Sequence, residues 1–147
     1  MDRQNALTLA RREIDTLGLN DWRLEIDARP TRRLGQTRYA SRTIGISGKF
    51  VDLNTWDIVR ITVRHESAHA LVGPGYAHGP VWKRKAWELG VPASHQFRAD
   101  NLVLPRGKFD IICPEHGRIG SRSRRPSDGR RFMHSACGSE VTFEHAS

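Results

Sequence analysis

The 147-residue chain has only two cysteines, few aromatic residues and no long apolar segment. Two cysteines are too few for the disulfide framework of a small secreted domain. No apolar run reaches the roughly 18 residues of a membrane span. The first twenty residues also lack the apolar core and cleavage site of a signal peptide. We therefore expect a cytoplasmic protein, associated with the nucleoid if it is bacterial or from a phage.

Acidic residues are scarce relative to basic ones. The 24 lysines and arginines outnumber the 16 aspartates and glutamates, which gives a formal net charge of +8 at pH 7. Such a balance favours an anionic partner, and nucleic acid is the first candidate. The length suits one domain of ordinary size with a small appendage.

The apolar pattern predicts an α+β fold. Helices are predicted over residues 4–18, about 54–72 and about 80–89. Strands are predicted over residues 22–27 and 38–50, the latter broken by Gly45 and Gly48. We expect a turn-rich basic loop over residues 28–37, and core positions for Trp56, Trp82 and Trp87. The composition changes near residue 105, because the segment beyond it is rich in glycine and arginine and contains both cysteines. We place a domain boundary there.

Residues 65–69 read His-Glu-x-x-His within the second predicted helix. Residues four apart share a helix face, so His65 and His69 can bind one metal ion through their imidazoles. Glu66 is not a ligand in this arrangement and can instead take a proton from a water at the metal. Catalytic zinc is held by three protein ligands and keeps one open position, so a third ligand is required.

The spacing leaves two candidates for that third ligand. One known arrangement has a histidine six residues after His69, but this position is Gly75. Glu88 lies 19 residues beyond His69, close to where a second arrangement has a glutamate. His78 follows the break at Gly73-Pro74, and a chain that turns there could return it to the metal.

Four motifs, in order, resemble the SprT-like, Spartan-related family of zinc metalloproteases. They lie in "RRLGQTRYASRTIGISGKFV", "ITVRHESAHALVG" and "HGPVWKRKAWELG". The matching residues are Leu34, Gly35, Arg38 and Tyr39, then Ile44 to Ser47, then His65, Glu66, His69 and Ala70, and finally His78, Gly79 and Trp82. The chain departs from the pattern at Ile46, where leucine is usual.

The resemblance extends over about residues 4–144 and carries specific expectations. It implies a zincin-like minimal metalloprotease over residues 1–105, with helices packed on a small sheet. It further implies that His65, His69 and His78 bind catalytic zinc and that Glu66 is the base. A small β zinc ribbon would follow over residues 106–147.

A second set of possible ligands lies in that C-terminal segment. Residues 113–116 read Cys-x-x-His and residues 134–137 read His-x-x-Cys, with 17 residues between the pairs. Structural zinc is closed by four such ligands, here Cys113, His116, His134 and Cys137. So short a segment buries too little apolar surface to fold without a metal. The alternatives are a reactive thiol pair or free cysteines in a small core.

Arginines are concentrated between the two ligand pairs, in "GRIGSRSRRPSDGRR". Because arginine can fork onto phosphates, we expect nucleic-acid contacts from Arg122, Arg124, Arg125, Arg130 and Arg131. Two further basic clusters are Arg29, Arg32, Arg33, Arg38 and Arg42, and Lys83, Arg84 and Lys85. A solvated, flexible hairpin is the alternative for such a run of charge.

Together with the resemblance to the SprT-like family, these features favour a zinc-dependent endopeptidase that cuts DNA-bound or DNA-crosslinked proteins, as in DNA-protein crosslink repair. It would hold two zinc ions, one catalytic and one structural. A substrate strand would add to the edge of the strand near Ile44 to Ser47, above the helix that carries His65. The alternative is a zinc-stabilised nucleic-acid-binding module with weak or vestigial peptidase activity. Retention of Glu66 favours the enzyme.

Overall fold

The structure is a computed structural model that describes residues 1–28, 33–92, 101–127 and 129–147. These residues form helices and small sheets, which confirms the predicted mixed α+β class. The chain divides into two compact units, Met1–Leu104 and Pro105–Ser147. No helix within the described ranges is long and apolar enough to cross a membrane.

The first unit places one small sheet among helices. Its elements are α1 (Arg3–Thr16), β1 (Arg23–Asp27), β2 (Gly35–Arg38), β3 (Thr43–Ser47), α2 (Gly48–Leu53), α3 (Trp56–Val72) and α4 (Pro80–Glu88). The strand order is β1-β3-β2, with β3 parallel to β1 and antiparallel to β2. All five residues of β3 are buried, so it is the central strand of the unit.

The core of this unit lies where α1 and α3 meet the sheet. Ala6, Ala10 and Ile14 recur every four residues along α1 and are fully buried. They belong to one apolar cluster with residues of β3, α2 and α3. Glu13 of α1 also accepts hydrogen bonds from Arg60 and Arg64 of α3. The helix that carries the His-Glu-x-x-His motif is therefore fixed to a packed core.

The predicted helices are confirmed with small shifts at their ends, but two predictions nearby are wrong. The expected loop over residues 28–37 contains β2, which begins at Gly35. Gly45 does not break its strand, because β3 runs through it with both edges paired. Gly48 starts α2, a short helix that the pattern did not predict, capped by the Ser47 hydroxyl.

The second unit is a small antiparallel sheet. Its strands are β4 (Phe109–Cys113), β5 (Gly117–Arg122) and β6 (Thr142–His145), in the order β5-β4-β6. Among its described residues, only two hydrophobic side chains are buried, Cys113 and Val141. Asp110 is also buried and pairs with Arg106. So small a core supplies little hydrophobic stabilisation.

Candidate metal centres

Three imidazoles converge at the C-terminal half of α3. His65 and His69 lie one turn apart on this helix, and His78 comes from the segment before α4. The Nε2 atom of His78 lies 3.1 Å from Nε2 of His65 and 3.1 Å from Nε2 of His69. Tetrahedral zinc with Zn–N bonds of about 2.0–2.1 Å holds its ligand atoms about 3.3–3.4 Å apart. The three donors therefore fit a single zinc ion.

The turn after α3 returns the third histidine to the first two. Gly73 ends the helix with φ 86°, and Gly75 follows with φ 93°, both in the region that favours glycine. Ala77, directly before His78, also has a positive φ of 43°. The structure thus brings His78 to His65 and His69. Glu88, the other candidate ligand, instead forms an ion pair with Lys85.

Trp82 of α4 forms the floor beneath the three imidazoles. Its ring centroid lies 4.6 Å from that of His65, 5.1 Å from that of His69 and 4.5 Å from that of His78. The side chain is fully buried, as expected for a core residue. Trp82 therefore packs against all three candidate ligands and restricts their ring orientations.

Glu66 lies beside these ligands with its side chain almost wholly buried, at 7% exposure. Thr37 Oγ1 lies 2.7 Å from Glu66 Oε2 and 2.9 Å from the Glu66 carbonyl oxygen. Burial raises the pKa of Glu66 to about 7, although the Thr37 hydrogen bond and the charge of Arg33 oppose the rise. Glu66 is thus a carboxyl group that can take and release a proton near neutral pH.

Burial acts on His69 in the opposite direction. It lowers the pKa of His69 to about 4, and the nearby His78 adds to this effect. The imidazole of His69 is therefore neutral at pH 7, which is the form that binds a metal.

An open cleft of about 990 Å³ gives access to this centre. The three histidines and Glu66 line it together with β2, and its apolar lining includes Leu34, Ile61, Leu102 and Leu104. Within the described ranges β2 pairs with β3 alone, so its other edge remains open. The substrate edge expected at Ile44 to Ser47 is wrong, because β3 is paired on both sides. In the part of the chain that the structure describes, the edge strand of the sheet at the cleft is β2.

The sequence was also compared with models of known protein families. The model of the SprT-like family matches residues 4–100, about two thirds of the chain. The chain belongs to the SprT-like family. This family is metallopeptidase-related, and His65, Glu66, His69 and His78 lie within the matched range. A search of curated proteins found no match.

The second ligand set of this SprT-like protein lies beyond the family match. Sγ of Cys113 lies 3.6 Å from Sγ of Cys137 and 3.6 Å from Nδ1 of His116. Nδ1 of His134 lies 3.3 Å from Sγ of Cys137. The two sulfurs are too far apart for a disulfide bond of about 2.05 Å. Zn–S bonds of about 2.3 Å would place tetrahedral sulfur ligands about 3.8 Å apart, so this set also fits zinc.

Local backbone geometry builds this second set from two similar turns. Gly117 follows the first ligand pair with φ 67°, and Gly138 follows the second with φ 73°. Hydrogen bonds from Ser139, with a smaller one from Cys113, lower the pKa of the Cys137 thiol. A lower pKa favours the thiolate, which is the form that ligates metals.

The arginines between these pairs have different surroundings. Arg122 is half-buried, with its guanidinium 5.3 Å from the ring centre of Phe132 and 5.8 Å from that of Phe143. Arg131 pairs with Glu140, and Arg125 donates to the carbonyl of Phe143. Arg124 and Arg130 are exposed, as are Arg125 and Arg131. Four of the five expected phosphate ligands are therefore accessible.

The other basic clusters are only partly described. Arg29 and Arg32 lie outside the described residues. Arg38 pairs with Glu25, and Arg42 pairs with Asp21. Next to the third cluster, Trp87 is 75% exposed, so the expectation that it is a core residue is wrong.

Sequence reasoning missed the contact between β2 and Glu66. Gly35 was noted only as part of a motif, and Thr37 was not singled out. Alternate residues of a strand point to one face, so Gly35 and Thr37 would have emerged as neighbours had β2 been predicted.

Proposed function

We propose that this chain is a zinc-dependent endopeptidase that acts on DNA-bound or DNA-crosslinked proteins. The observation that carries the proposal is the convergence of three imidazole Nε2 atoms beside a buried carboxyl group, in a cleft bordered by an open strand edge. The proposal includes a zincin-like peptidase domain over residues 1–105 and a zinc-ribbon domain over residues 106–147. His65, His69 and His78 would hold the catalytic zinc.

The reaction requires a group that moves a proton, and Glu66 fits this role. The chemistry that zinc would supply at the three imidazoles is Lewis acidity, which polarises a peptide carbonyl and lowers the pKa of a water to about 7. Glu66 would accept a proton from the attacking water and pass it to the leaving amine. Glu66 is only 7% exposed, so its carboxyl group is largely shielded from bulk water between the two transfers.

The substrate backbone would bind along β2. An extended peptide can add to an open strand edge through main-chain hydrogen bonds, whatever its side chains are. Because β2 borders the same cleft as Glu66, a peptide on this edge would lie beside the carboxyl group. Such binding suits an enzyme whose substrates are defined by their attachment to DNA.

Nucleic-acid binding would come from the second unit. Cys113, His116, His134 and Cys137 would hold a structural zinc, and Arg122, Arg124, Arg125, Arg130 and Arg131 would contact phosphates. The formal net charge of +8 and the exposure of four of these arginines support this part of the proposal. The predicted cytoplasmic location remains a prediction.

Cleavage of a basic protein bound to DNA, measured with and without DNA, tests the proposal. Glu66→Gln should keep both zinc ions but lose cleavage by about 100-fold or more, since a positioned proton acceptor contributes about that much. His78→Ala should lose the first zinc, and Glu88→Ala, the matched control, should keep it.

Three outcomes would contradict parts of this assignment. Full activity of Glu66→Gln would remove the endopeptidase mechanism. Loss of the first zinc in Glu88→Ala would make Glu88 the third ligand. Wild-type protein that binds zinc and DNA without cleaving would be the nucleic-acid-binding module of the alternative interpretation.

A further inference from the structure

The strand β2 contacts Glu66 at a position where no side chain would fit. A Cβ atom added at Gly35 would lie 2.7 Å from Cγ and 2.9 Å from Oε1 of Glu66, and 3.0 Å from Cγ2 of Thr62. Two of these distances are shorter than any ordinary Cβ contact. Gly35 does not have a positive φ, so its backbone conformation is open to other residues. Glycine is needed here for space beside Glu66 and not for backbone freedom.

Two residues further along the same strand, Thr37 bonds the same glutamate. Its Oγ1 is 2.7 Å from Glu66 Oε2 and 2.9 Å from the Glu66 carbonyl oxygen. Thr37 and Glu66 are 29 positions apart in sequence, so their contact comes from the packing of β2 on α3. Gly35 leaves space for the Glu66 carboxyl group against β2, and Thr37 forms a hydrogen bond with it.

We propose that Gly35 and Thr37 are positioning residues that keep the Glu66 carboxyl group aligned through both proton transfers. The inference rests on the proposed role of Glu66 as the proton acceptor. Neither residue supplies a metal ligand or a proton to the substrate. Both act through Glu66, Gly35 by leaving space for its side chain and Thr37 by hydrogen bonding.

The hydroxyl group suits this task because it can donate to either form of the carboxyl group. When Glu66 is ionised, Thr37 Oγ1–H donates to Oε2. When Glu66 has taken the proton on its other oxygen, Oε1, Oε2 is a carbonyl oxygen and still accepts from Thr37 Oγ1–H. The 2.7 Å contact can therefore persist in both forms of the carboxyl group, and the proton on Oε1 stays available for the leaving amine. Valine has the same shape as threonine but has no hydroxyl group to donate.

Steady-state kinetics on the zinc-loaded protein separate this role from simple packing. Thr37→Val should lower kcat by about 10- to 100-fold, the range for a lost hydrogen bond to a charged group, with KM little changed. Thr37→Ser should restore most of kcat, because it keeps the hydroxyl. In the Glu66→Gln background, Thr37→Val should cause no further loss. Zinc per chain should stay as in the wild type throughout.

Gly35→Ala tests the space beside Glu66. It should lower kcat by about 10-fold or more, because small misplacements of a reacting group are costly. Gly45→Ala is the matched control on the neighbouring strand, since its added Cβ would meet Arg38 and not Glu66. Wild-type kcat in Thr37→Val, or equal losses in Thr37→Val and Thr37→Ser, would overturn the proposal for Thr37. Equal losses in the two alanine variants would overturn it for Gly35.

A stability cycle on zinc-free protein keeps the inference testable without any peptidase activity. All four tryptophans lie in the first unit, so their fluorescence follows its unfolding. Thr37→Val should lower Tm by about 4 °C or more, because it leaves Glu66 buried without this partner. In a Glu66→Met background the same change should lower Tm by clearly less, because only the hydrogen bond to the backbone carbonyl of residue 66 is then lost. Additive shifts would refute the coupling, whereas inactive wild-type protein with non-additive shifts would refute only the peptidase assignment.

Discussion

Replacement of Trp82 tests whether the floor beneath the imidazoles controls metal binding. Trp82→Ala would leave the space of a fully buried indole that touches His65, His69 and His78. Truncation of a buried tryptophan costs about 3–5 kcal/mol of folding stability. Loss of a group that orients metal ligands typically lowers metal affinity by about 10- to 100-fold. We expect both effects in Trp82→Ala, and only a small loss of affinity in Trp82→Phe, which keeps an aromatic ring.

The matched control is Phe50→Ala. Phe50 is also fully buried in the first unit, but it belongs to the core cluster of α1, β3 and α3 and not to that of Trp82. Its truncation should cost a similar stability and leave the affinity of the first site unchanged. Competition with a chelator measures zinc release, with the second site as an internal reference. Equal losses of zinc affinity in both variants would show that Trp82 acts through general stability alone.

Three further predictions concern the second site, pH and salt. Cys113→Ser should lose the second zinc and unfold the second unit but keep the first zinc; loss of both ions by metal analysis would contradict this. In zinc-free protein, the Glu66 contribution to stability should fall as pH rises from about 4.5 to 7, and that of His69 should rise from about 4 to 6.5. Glu66→Gln removes the contribution of Glu66 and keeps that of His69. The free energy of unfolding of this variant, measured in urea, should therefore increase between about pH 4 and 6.5. A decrease would be inconsistent with the burial of His69. Each replacement of an arginine that contacts phosphate should reduce the slope of log affinity for DNA against log salt concentration by about 0.7–0.9. The test variant has alanine in place of Arg122, Arg124, Arg125, Arg130 and Arg131. An unchanged slope in this variant would show that the segment is a solvated loop.

The helices were predictable because their signals are local. Ala6, Ala10 and Ile14 repeat at helical spacing, and glycine marks the end of α3 at Gly73. The signals for such helices lie within a short window of neighbouring residues. The same holds for the pairing of His65 with His69, which follows from the pitch of one helix.

Elements that depend on distant partners were less predictable. β2 has no apolar alternation, and its strand conformation comes from pairing with β3. The choice between His78 and Glu88 depends on the positive φ angles of Gly73, Gly75 and Ala77, which spacing alone does not reveal. Trp87 has a large apolar side chain of the kind usually found in a core, but its position on α4 leaves it exposed.

The two ligand sets differ in what supports them, and this determines the consequence of losing a metal. His65 and His69 lie on a helix whose opposite face packs into an apolar core. Burial of this apolar surface stabilises the first unit without zinc. Cys113, His116, His134 and Cys137 join turns in a unit whose described residues bury only two hydrophobic side chains. Metal binding by these four residues would contribute directly to the folding free energy of the second unit. A chelator should therefore inactivate the first unit while leaving it folded, whereas it should unfold the second.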